Sequence, residues 1–396
     1  MPRLLQINVT ANWGSTGKIA ESIGLCALKH GWESYIAYGR YFRPSQSQLV
    51  PIGSAIDPYN HYIEQRIFDN EGLCSRNATK RLIAQIRSLS PDVVQLHNIH
   101  DHYLNYRLLF EYLNTTDIKV VWTFHDCWAF TGHCFHFVTK NCEKWKTGCS
   151  HCPLRNSYPK TLLDRSSRNY ELKRKLFVAN DHLAIVSCSD WMSTFVKESF
   201  LREKRLATIH NGVDLATFVP QHEPLYRADQ PFKILAVSSV WTQSKGLFDI
   251  YKLREMLPAE FEITLVGVSS KQQKSLPSGI VGIQHTQNVA ELVRLYSASD
   301  VLINPTYADT FPTVNLEALA CGTPVITYNT GGSPEAVDES TGVVVSQGDV
   351  QALADAIIRL QAHPLSSDAC RGRAEQLFDK DQCFEKYLAL YNQLLS

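Results

Sequence analysis

Asp309 and Glu317 stand eight positions apart, where a polar loop is predicted to become a helix. The backbone N–H groups of a loop and of a helix N-terminus can hold a phosphate group. Carboxylates accept charge-assisted hydrogen bonds from sugar hydroxyl groups, and these bonds are stronger than neutral ones. An acid beside a phosphate receptor therefore predicts a site for a polyhydroxylated anion, such as a nucleotide sugar.

Lys245-Gly246 follows the first apolar run of the second half of the chain. There an ammonium group could contact a diphosphate and neutralise the charge of a leaving group. A lysine before a helix is, by itself, more often a solvated residue. Beside Asp309 and Glu317, we interpret Lys245 as a diphosphate contact.

Polar residues follow two neighbouring predicted strands, with His97 and His100 after one and His125-Asp126 after the next. In doubly wound sheets, ligands bind beyond the carboxyl ends of the strands. A lone histidine is usually structural, but this position predicts that His125 lies at the mouth of a cleft.

The segment 12–18, Asn-Trp-Gly-Ser-Thr-Gly-Lys, follows the first predicted strand. It lacks the first glycine of a P-loop, and Ile19 stands where the magnesium-binding Ser or Thr would be, so we do not expect a P-loop ATPase. Gly14 and Gly17 can still open a helix and let a ligand approach the backbone. A tight strand-to-helix turn that needs small residues is an equally good interpretation.

The densest cysteine cluster of the chain contains Cys134, Cys142, Cys149 and Cys152. Cys149-Ser-His-Cys152 has the spacing of a metal knuckle, and clustered thiols in a reducing compartment more often hold zinc than form disulfides. We predict a structural zinc ion here, with free or redox-active thiols as the alternative. Three nearby histidines could replace a cysteine as ligand: His133, His136 and His151.

Short apolar runs alternate with helical patterns, which predicts parallel βαβ units. In the first half the runs are residues 4–9, 34–38, 92–97, 119–124, 183–188 and 205–209. A second series covers residues 233–238, 262–268, 280–285, 301–304, 324–328 and 342–346. We therefore predict an α/β protein with two doubly wound domains, 1–218 and 219–376, and a polar linker at 220–231. Apolar residues at helical spacing in Gln382–Leu395 predict a closing helix with one buried face.

The chain has 396 residues, more than one hydrophobic core usually serves. Its net charge is zero, but the charges are unevenly distributed. Residues 1–214 contain 26 Lys and Arg and 19 Asp and Glu, whereas residues 215–396 contain 13 Lys and Arg and 20 Asp and Glu. A basic first half could meet an anionic membrane surface, although ordinary solvated surface is the commoner meaning. We find no signal-peptide pattern and no stretch apolar enough to span a bilayer, so we expect a cytoplasmic protein with at most peripheral membrane association. We expect no nucleic-acid partner.

Taken in order, these motifs resemble the retaining GT-B glycosyltransferases of family four. The matching residues are His125, His210-Asn-Gly-Val-Asp214, Lys245-Gly246, Asp309 to Glu317 and Gly322-Thr-Pro-Val325. The resemblance implies two facing Rossmann-like domains, with a nucleotide-sugar donor bound mainly by the second and an acceptor bound mainly by the first. It also implies that the closing helix, within 377–396, packs back on the first domain.

The resemblance implies a role for each matched residue. Glu317 would bind the ribose hydroxyls, Asp309 the transferred sugar and Lys245 the diphosphate. His125 would support the sugar ring rather than act as a base. The other expected donor contacts are Gly14, Gly17, Phe311, Pro312, Thr313 and Asn315. The expected acceptor contacts are His97, His100 and Asp126.

Two features depart from the family pattern. Asp309 stands where the family has a glutamate, so its carboxylate is one methylene shorter, which points to a donor sugar that sits differently or differs in identity. The arginine that usually accompanies the lysine is missing from residues 238–244. Lys245, Asn315 and backbone dipoles would then neutralise the diphosphate, with no metal required for catalysis.

We therefore expect a retaining transferase that moves a hexose from a UDP- or GDP-sugar to a hydroxyl group of a lipid-linked or oligosaccharide acceptor. The cysteine-rich insert, at about residues 127–155, resembles a bacterial subgroup that builds capsule, exopolysaccharide or O-antigen chains. A UDP-sugar epimerase of the same fold and a non-catalytic nucleotide-sugar-binding protein are the alternatives.

Overall fold

The structure, a computed structural model, describes residues 1–54, 56–221 and 231–396. These residues form two compact units: Met1–Ile209 with Phe384–Ser396, and His210–Cys383. Each unit contains one parallel β-sheet. The prediction of two doubly wound α/β sheets in tandem is confirmed.

The sheet of the first unit has seven strands in the order β3-β2-β1-β4-β5-β6-β7. The strands are β1 (Arg3–Asn8), β2 (Glu33–Tyr38), β3 (Gln48–Pro51), β4 (Val93–Leu96), β5 (Lys119–Phe124), β6 (Leu183–Ser187) and β7 (Arg205–Thr208). The helices are α1 (Gly14–Lys29), α2 (Asp57–Phe68), α3 (Arg76–Leu89), α4 (Tyr106–Leu113), α5 (Ser166–Val178) and α6 (Asp190–Glu198).

Successive side chains of the central strands are buried on opposite faces of this sheet, as expected for a parallel sheet covered on both sides. Leu5 belongs to a large core cluster that contains Trp122 and Phe177. Its neighbour Leu4 belongs to a second cluster that contains Tyr387. The near-continuous apolar strands of the sequence follow from this double burial.

The second unit has a six-stranded sheet in the order β10-β9-β8-β11-β12-β13. The strands are β8 (Phe232–Val237), β9 (Phe261–Val266), β10 (Ile280–Ile283), β11 (Val301–Asn304), β12 (Val325–Tyr328) and β13 (Gly342–Val345). The helices are α7 (Leu247–Met256), α8 (Ser270–Gln273), α9 (Val289–Ser297), α10 (Thr313–Ala320), α11 (Val350–Ala362) and α12 (Ser367–Leu377). All of the strands that carry predicted site residues are central, so the loops after them start from a rigid base.

The last helix, α13, spans Lys380–Leu395, and Phe384–Ser396 belongs to the first unit. Its buried face packs on that unit's sheet. The Tyr391 hydroxyl donates to Gln95 Oε1 at 2.9 Å, and the hydroxyl groups of Tyr387 and Thr123 are 3.1 Å apart. These polar contacts inside an apolar layer fix the position of the helix on the sheet.

The sequence missed one strand, β3, because Gln48–Pro51 is a short edge strand with partly exposed residues and no apolar run. The observed division at 209/210 also differs from the predicted boundary at 218/219. Val213 forms a parallel bridge with Asp379, so this segment belongs to the second unit. Most of the predicted linker lies at residues 222–230, outside the described residues.

None of the helices in the described part of the chain combines the length and the apolar character needed to cross a bilayer.

Candidate functional site

Lys245 and Asp309 form a direct ion pair in the second unit. The Lys245 Nζ lies 2.6 Å from Asp309 Oδ2, and the two side chains are 34% and 23% exposed. Lys245 ends a 3₁₀ turn, Gln243–Lys245, just before α7, and Asp309 lies in the loop between β11 and α10. The structure therefore brings together two of the three side chains predicted to be catalytic, both at the carboxyl edge of the sheet.

Two glycines allow the backbone around this pair to pack closely. Gly246 has φ +78°, and a Cβ there would lie 2.2 Å from the carbonyl oxygen of Pro305. Gly331 has φ +60°, and a Cβ there would lie 1.7 Å from the carbonyl oxygen of Asp309. Both positions combine a left-handed backbone with a contact that excludes any side chain. The loop that carries Asp309 is thus pressed between neighbouring loops.

Helix α10 begins directly after this loop, and its N-cap residue is Pro312, which provides no capping side chain. The free N–H groups of a first helical turn carry a partial positive charge. Phe311 is buried, and its ring centroid lies 4.8 Å from that of His210, whose Nε2 is 2.8 Å from Glu335 Oε2. These contacts anchor the entry to α10, while Thr313 remains partly exposed.

Glu317 lies on α10 and accepts a hydrogen bond from the Tyr296 hydroxyl at 2.8 Å. Tyr296 is fully buried, and burial together with the Glu317 carboxylate raises its pKa well above the ordinary value. The hydroxyl therefore stays protonated and orients the carboxylate. Sequence reasoning missed Tyr296, because its position on α9 reads as part of an apolar helix face.

The side chain of Asn315 bonds to two neighbouring side chains of the second unit. Its side chain is fully buried, its oxygen accepts from Asn304 Nδ2 at 2.9 Å, and its nitrogen donates to Ser333 Oγ at 2.9 Å. Both ends of the amide are occupied by bonds that join α10 to its neighbours. These bonds hold α10 in place, and the contribution of Asn315 to diphosphate binding stays a prediction.

His125 belongs to the first unit, where it pairs with His97. Nδ1 of His97 lies 3.2 Å from Nε2 of His125, and Nε2 of His97 lies 3.0 Å from Gln6 Oε1. Burial lowers the pKa of His125 to about 4, and burial together with the neighbouring His125 lowers the pKa of His97 well below its usual value. Both rings are therefore neutral at pH 7, and His125 is a weak base.

His100 and Asp126, predicted as acceptor contacts, bind each other. Nε2 of His100 lies 2.8 Å from Asp126 Oδ2, and both side chains are largely buried. Burial alone would lower the pKa of His100, but the carboxylates of Asp126, Asp101 and Glu71 together outweigh it and the pKa is raised. The opposite occurs at Asp126, whose pKa burial would raise and His100 lowers. This is a buried ion pair at neutral pH, adjacent in sequence to His125.

Gly14 and Gly17 occupy the first turn of α1. Gly14 has φ +67° with open space around it, whereas a Cβ at Gly17 would lie 2.6 Å from the Thr10 hydroxyl oxygen. Close packing against Thr10 therefore explains the glycine at position 17 without a ligand. The open space at Gly14 is compatible with a ligand close to the backbone, and both donor roles stay predictions.

The four cysteines predicted as zinc ligands line one small cavity in the first unit, together with His133. All four are free thiols, and each is buried or partly buried. The zinc ion itself stays a prediction.

Comparison with known proteins finds two family models that match this chain. "Glycosyltransferase Family 4" matches residues 23–217, and "Glycosyl transferases group 1" matches residues 231–363. A similar relative over the whole length is the putative colanic acid biosynthesis glycosyl transferase WcaC of Escherichia coli K12, 26% identical over 99% of this chain and 100% of that protein. D-inositol 3-phosphate glycosyltransferase of Mycolicibacterium gilvum is 30% identical over 38% of each chain.

Solved structures with the same fold include sucrose-phosphate synthase of Thermosynechococcus elongatus, with a TM-score of 0.74, 17% identity and coverage of 100% of this chain and 99% of that one. Anabaena HepE in complex with UDP and glucose has a TM-score of 0.66 and 13% identity, with coverage of 99% and 100%. WaaG, a glycosyltransferase involved in lipopolysaccharide biosynthesis, has a TM-score of 0.65 and 14% identity, with coverage of 98% and 99%. These similarities establish the two-domain GT-B fold.

The depressed pKa of His125 predicts a pH-dependent stability. The folded-state pKa of about 4 is below the ordinary 6.5, so the unfolded chain takes up a proton first as the pH falls. The stabilising contribution is complete above about pH 6.5 and is lost as the pH falls towards 4. We expect His125→Gln to flatten the decrease of the free energy of unfolding across this window by about 1–3 kcal/mol. Urea denaturation at several pH values measures the free energy of unfolding. If the variant shows the same pH dependence as the wild-type protein, the depressed pKa of His125 is contradicted.

Proposed function

Because the chain belongs to the group 1 and family 4 glycosyltransferases, we propose that it is a retaining enzyme that transfers a hexose from a UDP- or GDP-sugar. The acceptor is a hydroxyl group of a lipid-linked or oligosaccharide substrate in the synthesis of a bacterial surface polysaccharide. The observation that carries the donor part of this proposal is the Lys245–Asp309 pair at the start of α10. The acceptor part is supported by the full-length similarity to WcaC, whose name refers to colanic acid biosynthesis.

In this proposal the second unit provides the N–H donors for the diphosphate. A lysine ammonium has three N–H donors, so a bond from Lys245 to Asp309 leaves two for phosphate oxygens. The uncapped amides at the start of α10 add the partial charge of the helix N-terminus. In the proposed reaction these groups stabilise the charge that develops on the leaving UDP or GDP, without a metal ion.

Asp309 and Glu317 provide the hydroxyl acceptors of the same site. Glu317, oriented by Tyr296, would accept hydrogen bonds from the ribose of the nucleotide. Asp309 would accept one from the transferred sugar through whichever carboxylate oxygen faces it. The donor therefore has complementary contacts at its ribose, its diphosphate and its hexose.

His125 has the properties of a sugar contact rather than of a general base. A base with a pKa of about 4 has little affinity for a proton at pH 7. As a neutral imidazole it carries one N–H donor and one acceptor. In the proposed mechanism the acceptor hydroxyl attacks the anomeric carbon on the face from which the diphosphate leaves. The departing phosphate oxygen takes the hydroxyl proton, so no side-chain base is required.

A panel of UDP-, GDP- and ADP-sugars in a thermal-shift assay identifies the donor class, because a ligand that binds only the native state raises the melting temperature. We expect a UDP- or GDP-hexose to give the largest shift. With that donor, labelled hexose should appear on a glycolipid or oligosaccharide acceptor as free UDP or GDP is released. Binding without transfer to any acceptor would favour a non-catalytic protein, and turnover without nucleotide release would favour an epimerase.

Glu317→Ala should weaken the binding of free UDP or GDP by about 10- to 150-fold, since charge-assisted hydrogen bonds contribute about 1.5–3 kcal/mol. Isothermal titration calorimetry measures this directly. Glu255→Ala, at an exposed position on α7 of the same unit, is the matched control and should leave the affinity unchanged. Wild-type affinity in the Glu317 variant would remove the ribose assignment.

Lys245→Ala should lower kcat more than it weakens donor binding, because its charge acts mainly on the leaving group. We expect a loss of about 100-fold or more in kcat, of the order measured for removal of one transition-state donor. Lys252→Ala, an exposed lysine on α7, controls for the loss of a positive charge. A variant with normal kcat and a raised donor Kd would reduce Lys245 to a binding contact.

A further inference from the structure

The segment between β5 and α5 is held by side chains rather than by regular secondary structure. It contains three short 3₁₀ turns, Trp128–Phe130, Val138–Lys140 and Lys144–Lys146. In its interior is a cavity of about 10 Å³, room for one water-sized sphere, that His133 and all four clustered cysteines line. A metal ion is smaller than a water molecule, and all five side chains are metal ligands.

His133 has the hydrogen bonding of a metal ligand. Its Nδ1 lies 2.6 Å from Asp69 Oδ1, and both side chains are only 1% exposed. Its Nε2 is buried and has no hydrogen-bond partner among the described residues. A histidine that ligates a metal typically gives its other ring N–H to a carboxylate, which fixes the ring and leaves the second nitrogen for the ion.

The first cysteine of the knuckle accepts a backbone hydrogen bond. Gly132 N donates to Cys149 Sγ at 3.2 Å. Between the cysteines, His151 has a left-handed backbone with φ +45°. Donation to sulfur favours the thiolate, which is the form that binds metal.

Lys173 provides the balancing charge. Its side chain is fully buried, and its Nζ donates to the carbonyl oxygens of Trp128 and Thr131. Within the described residues no carboxylate lies within ion-pair distance of it, and burial lowers its pKa to about 7. A buried cation without an anion is costly. A metal–thiolate group with a net negative charge would remove that cost.

We propose that Cys134, Cys149, Cys152 and His133 bind one structural Zn²⁺ ion. Cys149 and Cys152 form the knuckle, and Cys134, the neighbour of His133 in sequence, is the most buried of the thiols that line the cavity. Three thiolates and one Zn²⁺ carry a charge of −1, which Lys173 neutralises, while four thiolates would leave an excess. Thiolate and imidazole ligands in a closed set of four are those of structural zinc.

The sulfur and nitrogen atoms of these four side chains are farther apart than the ligands of a bound ion would be. A three-ligand group within 4.8 Å does exist in the first unit, at Cys26, His30 and Glu385, but the cysteine cavity does not meet that limit. In the proposed site, binding of the ion would turn these side chains inward around the cavity. The ion would tie the segment to Asp69 through His133, and the segment in turn packs on the predicted acceptor site, where the rings of Phe135 and His100 stack at 4.4 Å.

Metal analysis and X-ray absorption of the wild-type protein, purified without chelators, test the proposal and require no variant. We expect about one zinc per chain, with three sulfur ligands at about 2.3 Å and one nitrogen at about 2.0–2.1 Å. Less than about half an equivalent of zinc after reconstitution with ZnCl₂ would overturn the proposal. A shell of four sulfurs would overturn the role of His133 and assign Cys142 in its place.

Variants separate this site from a general effect of thiol loss. Cys149→Ser and His133→Asn should each lose most of the bound zinc. Cys74→Ser, which replaces a buried cysteine of the same unit outside the cavity, should retain it. If either site variant fails to fold, replacement of zinc by Co²⁺ in the wild-type protein gives a thiolate-to-cobalt absorption band. Absence of that band, or equal zinc loss in the control, would overturn the assignment.

Discussion

The close approach of loops at the carboxyl edge of the second sheet is the constraint on which the geometry of the predicted donor site depends. Asp309 can meet Lys245 only because Gly246 and Gly331 let backbone lie where any side chain would collide. The buried bonds of Asn315 to Asn304 and Ser333 then attach α10 to the same base. Loops follow the strands at the edge of any such sheet. At this edge, the contacts of Gly246, Gly331 and Asn315 hold the loops in one conformation. The order of the site therefore comes from backbone packing first and from charged side chains second.

Burial organises the first unit in a different way. The pairs His97–His125 and His100–Asp126 lie next to each other in sequence and have opposite protonation behaviour, because only the second contains a carboxylate. Desolvation disfavours the charged form of every one of these groups. His100 bonds directly to Asp126 and keeps its charge, whereas the attraction of Asp126 for His125 does not offset burial, so the His125 ring is neutral. His100 and His125, which follow the neighbouring strands β4 and β5, therefore differ in protonation because only His100 bonds directly to a carboxylate.

The sequence predicted the fold well because parallel βαβ units repeat one apolar signal many times, and a family resemblance depends on motifs that are local. It predicted less well whatever depends on a single partner far along the chain. The edge strand β3 has no fully buried residue, so its sequence lacks the apolar pattern that predicts a strand. Tyr296 reads as an ordinary apolar helix residue, and only the fold brings its hydroxyl to Glu317. The bonds of the Asn315 side chain to Asn304 and Ser333 likewise depend on partners distant in sequence, and the sequence did not reveal them.

The Lys245–Asp309 pair also changes the meaning of the shortened acid. Both side chains are about a quarter to a third exposed, so the pair adds little to stability, and the median for such pairs is about 0–1 kcal/mol. The pair matters more for the binding of the proposed donor. A diphosphate that binds Lys245 brings negative charge towards Asp309, and this repulsion is offset only if a donor hydroxyl hydrogen-bonds to that carboxylate. Because Gly331 fixes the backbone of Asp309, a short side chain limits where such a hydroxyl can lie. In the proposed function, donor preference therefore follows from the position of one sugar hydroxyl relative to a carboxylate already held by Lys245.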